Sequence, residues 1–212
     1  MARGTRGRAQ VAVLLSGTGR SLENLLACRA RGELDIDIPV VVSTRADVRG
    51  VEIARAAGIE THVVRRRDAP SPDALSARVA EALAPHGIDL VLLAGFLAQL
   101  RVLPEWEGRM LNIHPSLLPL FGGKGFYGSR VHAAVLEAGM KVTGCTVHFV
   151  DAGYDTGPIV LQRCLAVQED DTPETLGARV FALECEAYPE AVRLFIAGRL
   201  RIDGRVVRVA PA

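Results

Sequence analysis

The sequence predicts an α/β fold: a single-domain, open, mostly parallel twisted sheet with helices on both faces and a C-terminal hairpin. Three observations point there. Short apolar runs alternate with longer amphipathic ones, the pattern of parallel strands joined by helical crossovers. The run IDLVLLAGF (88–96) is so apolar that both of its faces must be covered, as in a central parallel strand. The first apolar run also passes directly into a glycine-rich turn that opens a helix, SGTGRSLENLL (16–26).

The elements follow in order. QVAVLLS (10–16) reads as a strand and is followed by a helix from Ser21 to Arg31. IPVVVST (38–44) is the second strand, and VRGVEIARAAG (48–58) a helix ended by Gly58. ETHVV (60–64) is a weaker strand, and PDALSARVAEALA (72–84) a helix with proline at its start, where a missing N–H is harmless. The 88–96 strand is followed by RMLNIHP (109–115). Pro115 removes a donor and biases His114 away from helix, so that strand ends there. After an irregular stretch, RVHAAVLEAG (130–139) gives a helix, GCTVHFV (144–150) and GPIVLQRCLAV (157–167) two strands, and 172–198 a long helix containing Pro189. LRIDGRVVRV (200–209) reads as a hairpin turning at Asp203-Gly204.

Composition narrows the class. The chain has 212 residues, 49% of them hydrophobic, enough for one well-buried domain over 10–212 behind a basic tail at 1–9. A formal charge of +1 provides no global field for nucleic acid. Cys28, Cys145, Cys164 and Cys185 are widely spaced and form no C-x-x-C pair, which argues for buried thiols in a reducing compartment and against a zinc site or a disulfide framework. The N-terminus has no signal-peptide core, and no apolar run approaches a membrane span, so a cytoplasmic location is expected.

Three stretches carry candidate chemistry. In the first turn, Gly17 and Gly19 permit close backbone approach at a helix N-terminus, which suits a phosphate. A dinucleotide fits poorly, because Leu22 replaces the third glycine and the second strand ends in Ser43-Thr44 without a carboxylate for a ribose. In LNIHPSLLP (111–119), strand alternation puts Asn112 and His114 on one face at a strand's carboxyl end. There Asn112 can donate to a developing oxyanion and His114 can exchange a proton; the plain alternative is a hydrogen-bonded structural histidine. In DAGYDTGPIVLQ (151–162), Asp151 and Asp155 are either turn residues or a source of a carboxylate that raises the pKa of His114 and holds it protonated. His148 is either a further wall of that site or a core histidine.

Together SGTGRSLENLL, LAGF, LNIHPSLLP, GCTVHFVDAGYDTGPIVLQ and RVFALECEAYP resemble the phosphoribosylglycinamide formyltransferase family, folate-dependent enzymes of purine synthesis, from about residue 10 to about 200. The resemblance implies a Rossmann-like formyltransferase fold with Asn112, His114 and Asp155 catalytic. It places Gly19, Arg20 and Ser21 at the phosphate of glycinamide ribonucleotide, with Phe181 and Glu184 also contacting that substrate. Leu97, Ala98, Gln99 and Leu100, with Asn112, Asp151, Ala152, Gly153 and Tyr154, would line the folate pocket. It further implies 10-formyltetrahydrofolate as co-substrate, no tightly bound cofactor, no metal, no nucleic-acid or membrane partner, and a monomer or homodimer. Departures occur at Ala98 and Pro72, where the family often has arginine, and in a longer 120–132 loop containing Lys124.

Related chemistries are expected to look different. A formyl-folate deformylase would add an N-terminal domain and usually a second histidine at the position of Pro115. An enzyme that formylates initiator methionyl-tRNA would add a C-terminal nucleic-acid-binding domain. A non-catalytic nucleotide-binding module would have no reason to keep Asn112, His114 and Asp155 together.

Overall fold

The computed structural model describes residues 7–211, so most of the predicted basic tail lies outside the described residues. The described residues form two compact units, divided between Met110 and Leu111. In the first unit the strands β1 (Ala9–Leu15), β2 (Ile36–Ser43), β3 (Glu60–Val63) and β4 (Leu90–Leu93) take the order β3-β2-β1-β4, and every pairing among them is parallel. Helices α1 (Arg20–Ala30), α2 (Arg49–Ala56) and α3 (Pro72–Leu83) form the crossovers. β1 lies between β2 and β4, and Val11 to Leu15 are completely buried, as two covered sheet faces require. The chain leaves β1 toward β2 on one side and later returns as β4 on the other. Such a reversal opens a crevice at the carboxyl ends of the strands.

β4 is shorter than the predicted 88–96 strand. Gly95 takes φ +75 and turns the chain away after Ala94. In α1 the buried residues Leu22, Leu25 and Cys28 recur every three positions, one stripe facing the strands. α3 begins at Pro72 with the Ser71 side chain accepting from the Ala74 N–H, so the helix start is capped as its sequence implies.

In the second unit β5 (Met110–His114), which starts on the last residue of the first, pairs antiparallel with β6 (Val142–Phe149), and β6 pairs antiparallel with β7 (Ile159–Ala166). β8 (Leu200–Asp203) and β9 (Val206–Val209) form the predicted hairpin, with Gly204 at φ +59 in its turn; β9 then joins β7 in parallel at Ile159 and Val206. The parallel character expected of the sheet thus belongs to the first unit, and the second is chiefly antiparallel. Helices α4 (Ser129–Glu137) and α5 (Pro173–Ile196) complete it. α5 starts in a reciprocal capping box between Thr172 and Thr175 and continues through Pro189. Its Tyr188 is buried and donates from its hydroxyl to the Leu111 carbonyl at 3.0 Å, tying the helix to β5.

Candidate active site

Each unit carries part of the predicted set. In the first, β1 runs into the 16–19 turn and α1. Gly19 stands at the helix start with φ +73, and a Cβ there would lie 2.4 Å from the Gly50 Cα. Two backbones meet at that point, and glycine alone satisfies both the dihedral and the spacing. The Gly50 N–H donates to the Gly17 carbonyl at 3.1 Å and closes the turn. No side chain caps α1, an arrangement that suits an external anion at its positive end. Ser16 forms a 2.6 Å hydrogen bond with the Thr44 hydroxyl and accepts from the Leu97 N–H at 3.2 Å, while its own N–H donates to the Gly95 carbonyl. The predicted folate-lining stretch from Leu97 is therefore anchored to the base of the predicted phosphate turn.

In the second unit the antiparallel register sets Asn112 directly opposite His148 and His114 opposite Thr146. Residues opposed in this way share a face, so Asn112, His114, Thr146 and His148 project together. The loop between β6 and β7 brings Asp155 onto them. Asp151 shapes that loop by accepting from the Gly153 N–H at 3.0 Å and the Thr156 hydroxyl at 2.6 Å. Asp151 is thus the turn residue of the pair, and Asp155 is the one that meets the two histidines and Asn112. Asp155 sits in the left-handed region at φ +55, a conformation Asp tolerates better than most residues.

The contacts of Asp155 make it the hub. Its Oδ1 accepts from Asn112 Nδ2 at 3.3 Å and its Oδ2 from the Gly123 N–H at 2.9 Å. Oδ2 lies 3.5 Å from His114 Nδ1, and Oδ1 lies 3.6 Å from His148 Nε2. Asn112 Nδ2 is also 3.0 Å from His148 Nε2, while His148 Nδ1 is 2.8 Å from the Phe149 carbonyl. One proton assignment satisfies this network: His148 donates from Nδ1 to Phe149 and accepts at Nε2 from the Asn112 amide. Turning the amide over would set two oxygens 3.3 Å apart with no proton between them. The Asn112 amide nitrogen is thus held between His148 and Asp155.

His114 is 4% exposed, with Nε2 2.8 Å from the Phe121 carbonyl. Nε2–H therefore donates to Phe121, and Nδ1 faces the carboxylate. Burial drives this imidazole below its ordinary pKa; the Asp155 carboxylate and the Phe121 carbonyl pull upward without overcoming it, and His148 adds to the lowering. The expectation that Asp155 holds His114 protonated is thus corrected, because desolvation outweighs the ion pair. For Asp155, burial pushes the carboxyl upward, but its polar surroundings, with the Gly123 N–H among the donors to it, outweigh burial and keep the group below its usual value. The result is a carboxylate held low beside the His114 ring, placed to stabilise the imidazolium when one forms.

Several contributors carry no signal in the sequence. Phe121 acts through its carbonyl at φ +53, a strained conformation for a bulky residue, and Gly123 acts through its N–H. Thr146 donates to the Ser116 carbonyl at 2.7 Å and accepts from the Leu118 N–H at 3.1 Å and from Gln162 Nε2 at 2.9 Å, so its hydroxyl fixes the segment that follows His114. Phe181 and Glu184 lie one turn apart on α5, both half-buried. Burial, with Glu184 second, pushes the Cys145 thiol up to about 12, so Cys145 is no nucleophile.

Known proteins resemble the chain along most of its length. A family model described as formyl transferase matches residues 9–192. A trifunctional purine biosynthetic protein adenosine-3 from Bos taurus is 41% identical over 203 residues, covering 94% of this chain but only 20% of that protein, so the chain spans about a fifth of such relatives. The chloroplastic phosphoribosylglycinamide formyltransferase of Arabidopsis thaliana is 39% identical over 92% of this chain and 68% of its own length. The crystal structure of glycinamide ribonucleotide transformylase 1 from Symbiobacterium toebii superposes with a TM-score of 0.88 at 44% identity, covering 96% of this chain and 95% of that one. The chain belongs to the formyl transferase family.

Proposed function

We propose that the chain transfers the formyl group of 10-formyltetrahydrofolate to the amine of glycinamide ribonucleotide, as one catalytic domain over 10–212 that needs no tightly bound cofactor. The observation that carries this reading is the cluster of half-buried Asn112 and Asp155 around buried His114 in a chain matched along its length by enzymes named for that reaction. The amine attacks the formyl carbon and gives a tetrahedral oxyanion; the bond from carbon to the folate nitrogen then breaks, and the proton lost by the amine ends on that nitrogen.

His114 receives the proton at Nδ1, where Asp155 stabilises the imidazolium that forms. Charging the ring strengthens Nε2–H as a donor, and the oxyanion then takes the place of the Phe121 carbonyl. Asn112, held by His148 and Asp155, keeps its amide in fixed orientation beside the reacting carbon. The turn at Gly19, Arg20 and Ser21, with Phe181 and Glu184, serves the ribonucleotide. Leu97 to Leu100 and the 151–154 loop serve the pterin. None of the four cysteines is in a disulfide, in keeping with the reducing cytoplasm we assign to the protein, although only Cys28 and Cys145 are the buried thiols expected, Cys164 being exposed and Cys185 half-buried; no described helix is long and apolar enough to cross a membrane.

The test is the rate of formyl-folate consumption with and without glycinamide ribonucleotide. The reading requires consumption that depends on the ribonucleotide. Equal rates in its absence would make the protein a hydrolase instead.

A further inference from the structure

We propose that Glu60, His62 and His86 form a binding site for one divalent transition-metal ion of the zinc class, independent of the formyl-transfer reaction. Glu60 and His62 are two positions apart on β3, so their side chains leave the same face of the strand. His86 ends the short 3-10 turn, Ala84–His86, that follows α3. His62 Nε2 lies 2.7 Å from one Glu60 carboxylate oxygen and His86 Nε2 lies 3.5 Å from the other. One donor atom from each residue lies within 4.8 Å of the other two, the one such convergence of three among the described residues.

A second observation comes from His86. Its Nε2 is buried and makes no hydrogen bond, although the carboxylate stands nearby. A buried ring nitrogen without a partner is unusual in a folded protein and marks a place where a further group belongs. Ligands bound at about 2.0–2.1 Å around a tetrahedral ion stand roughly 3.3 Å apart, so small side-chain adjustments bring these three atoms into position. Two imidazoles and one carboxylate favour zinc, copper or nickel over magnesium or calcium, which prefer all-oxygen sites. The Glu60 side chain is 54% exposed, which leaves water to complete the coordination. β3 is the edge strand of its sheet, and a bound ion would fasten it to the segment after α3.

The experiment titrates the metal-stripped full chain with Zn²⁺, following heat, melting temperature and the imidazole NMR signals. One equivalent is expected to bind, to raise the melting temperature and to shift the signals of His62 and His86. His86→Ala and, at the more exposed positions, His62→Ala and Glu60→Gln should each weaken binding by at least about 10-fold, since each removes one of only three protein ligands. Their melting temperature without metal and their formyl transfer should stay close to wild type. Absence of saturable binding, binding that survives in both His62→Ala and Glu60→Gln, or shifts confined to His114 and His148 would overturn the proposal.

Discussion

His114 is caught between a buried setting that strips its charge and a carboxylate that welcomes it. The balance predicts how the site responds to change. Asp155→Asn removes the group that pulls the imidazole pKa upward, so the titration of His114 followed by NMR should move to still lower pH while turnover falls; an unchanged titration would remove the pairing. Stability should follow the same chemistry. His114 and His132 are both held below their ordinary pKa by burial, so the unfolded chain binds protons that the folded one refuses. Stability is therefore lost as pH falls through the ordinary histidine range, by up to about 1.4 kcal/mol per pH unit for each histidine. Asp155, held low, adds to the loss only at much lower pH. Thermal unfolding between pH 7.5 and 5.5 should show the decline, and His132→Gln should make it shallower. His114→Ala and Asn112→Ala should each slow turnover on the order of 10²–10³, with the double variant little worse than the worse single one, because both residues serve the same tetrahedral intermediate. Strictly multiplicative losses would separate their roles.

Among the elements, the two turns that follow strands decide most. Gly19→Ala imposes a Cβ on a left-handed residue, a penalty of about 1–2 kcal/mol, and drives it into the Gly50 backbone. The melting temperature should fall, and the Michaelis constant for the ribonucleotide should rise while folate affinity is nearly kept. A loss confined to folate would reverse the assignment of the turn. Thr146→Val strips the segment after His114 of the hydroxyl shared by Ser116, Leu118 and Gln162. Orphaning such buried groups costs about 1–3 kcal/mol, and a loosened loop should lower turnover along with stability. Local sequence showed these elements well, because alternation and helical spacing are short-range. The predicted helices over 48–58 and 130–139 end within a few residues of α2 and α4, and Asp203-Gly204 fixed the terminal turn. It could not show that β9 would join β7 in parallel, since that partner lies far along the chain.

Over the whole molecule, the residue types of the cluster were legible while their electrostatics were not. Asn112, His114 and Asp155 could be picked out because amide, imidazole and carboxylate are distinctive side chains. The depth of His114 depends on everything packed over it, so the direction of its pKa had to come from the fold. The Phe121 carbonyl and the Gly123 N–H are groups that every such residue has, and no residue type announces them. The central claim is that this cluster moves a formyl group onto an amine. It is tested most directly by supplying folate labelled with ¹³C in the formyl carbon together with glycinamide ribonucleotide and following the label by NMR. The account predicts that the label appears in the formamide of the ribonucleotide, one for each formyl-folate consumed, and that His114→Ala slows its appearance by two to three orders of magnitude, the loss expected for an oxyanion donor. Label accumulating as free formate, or transfer undiminished in His114→Ala, would contradict it.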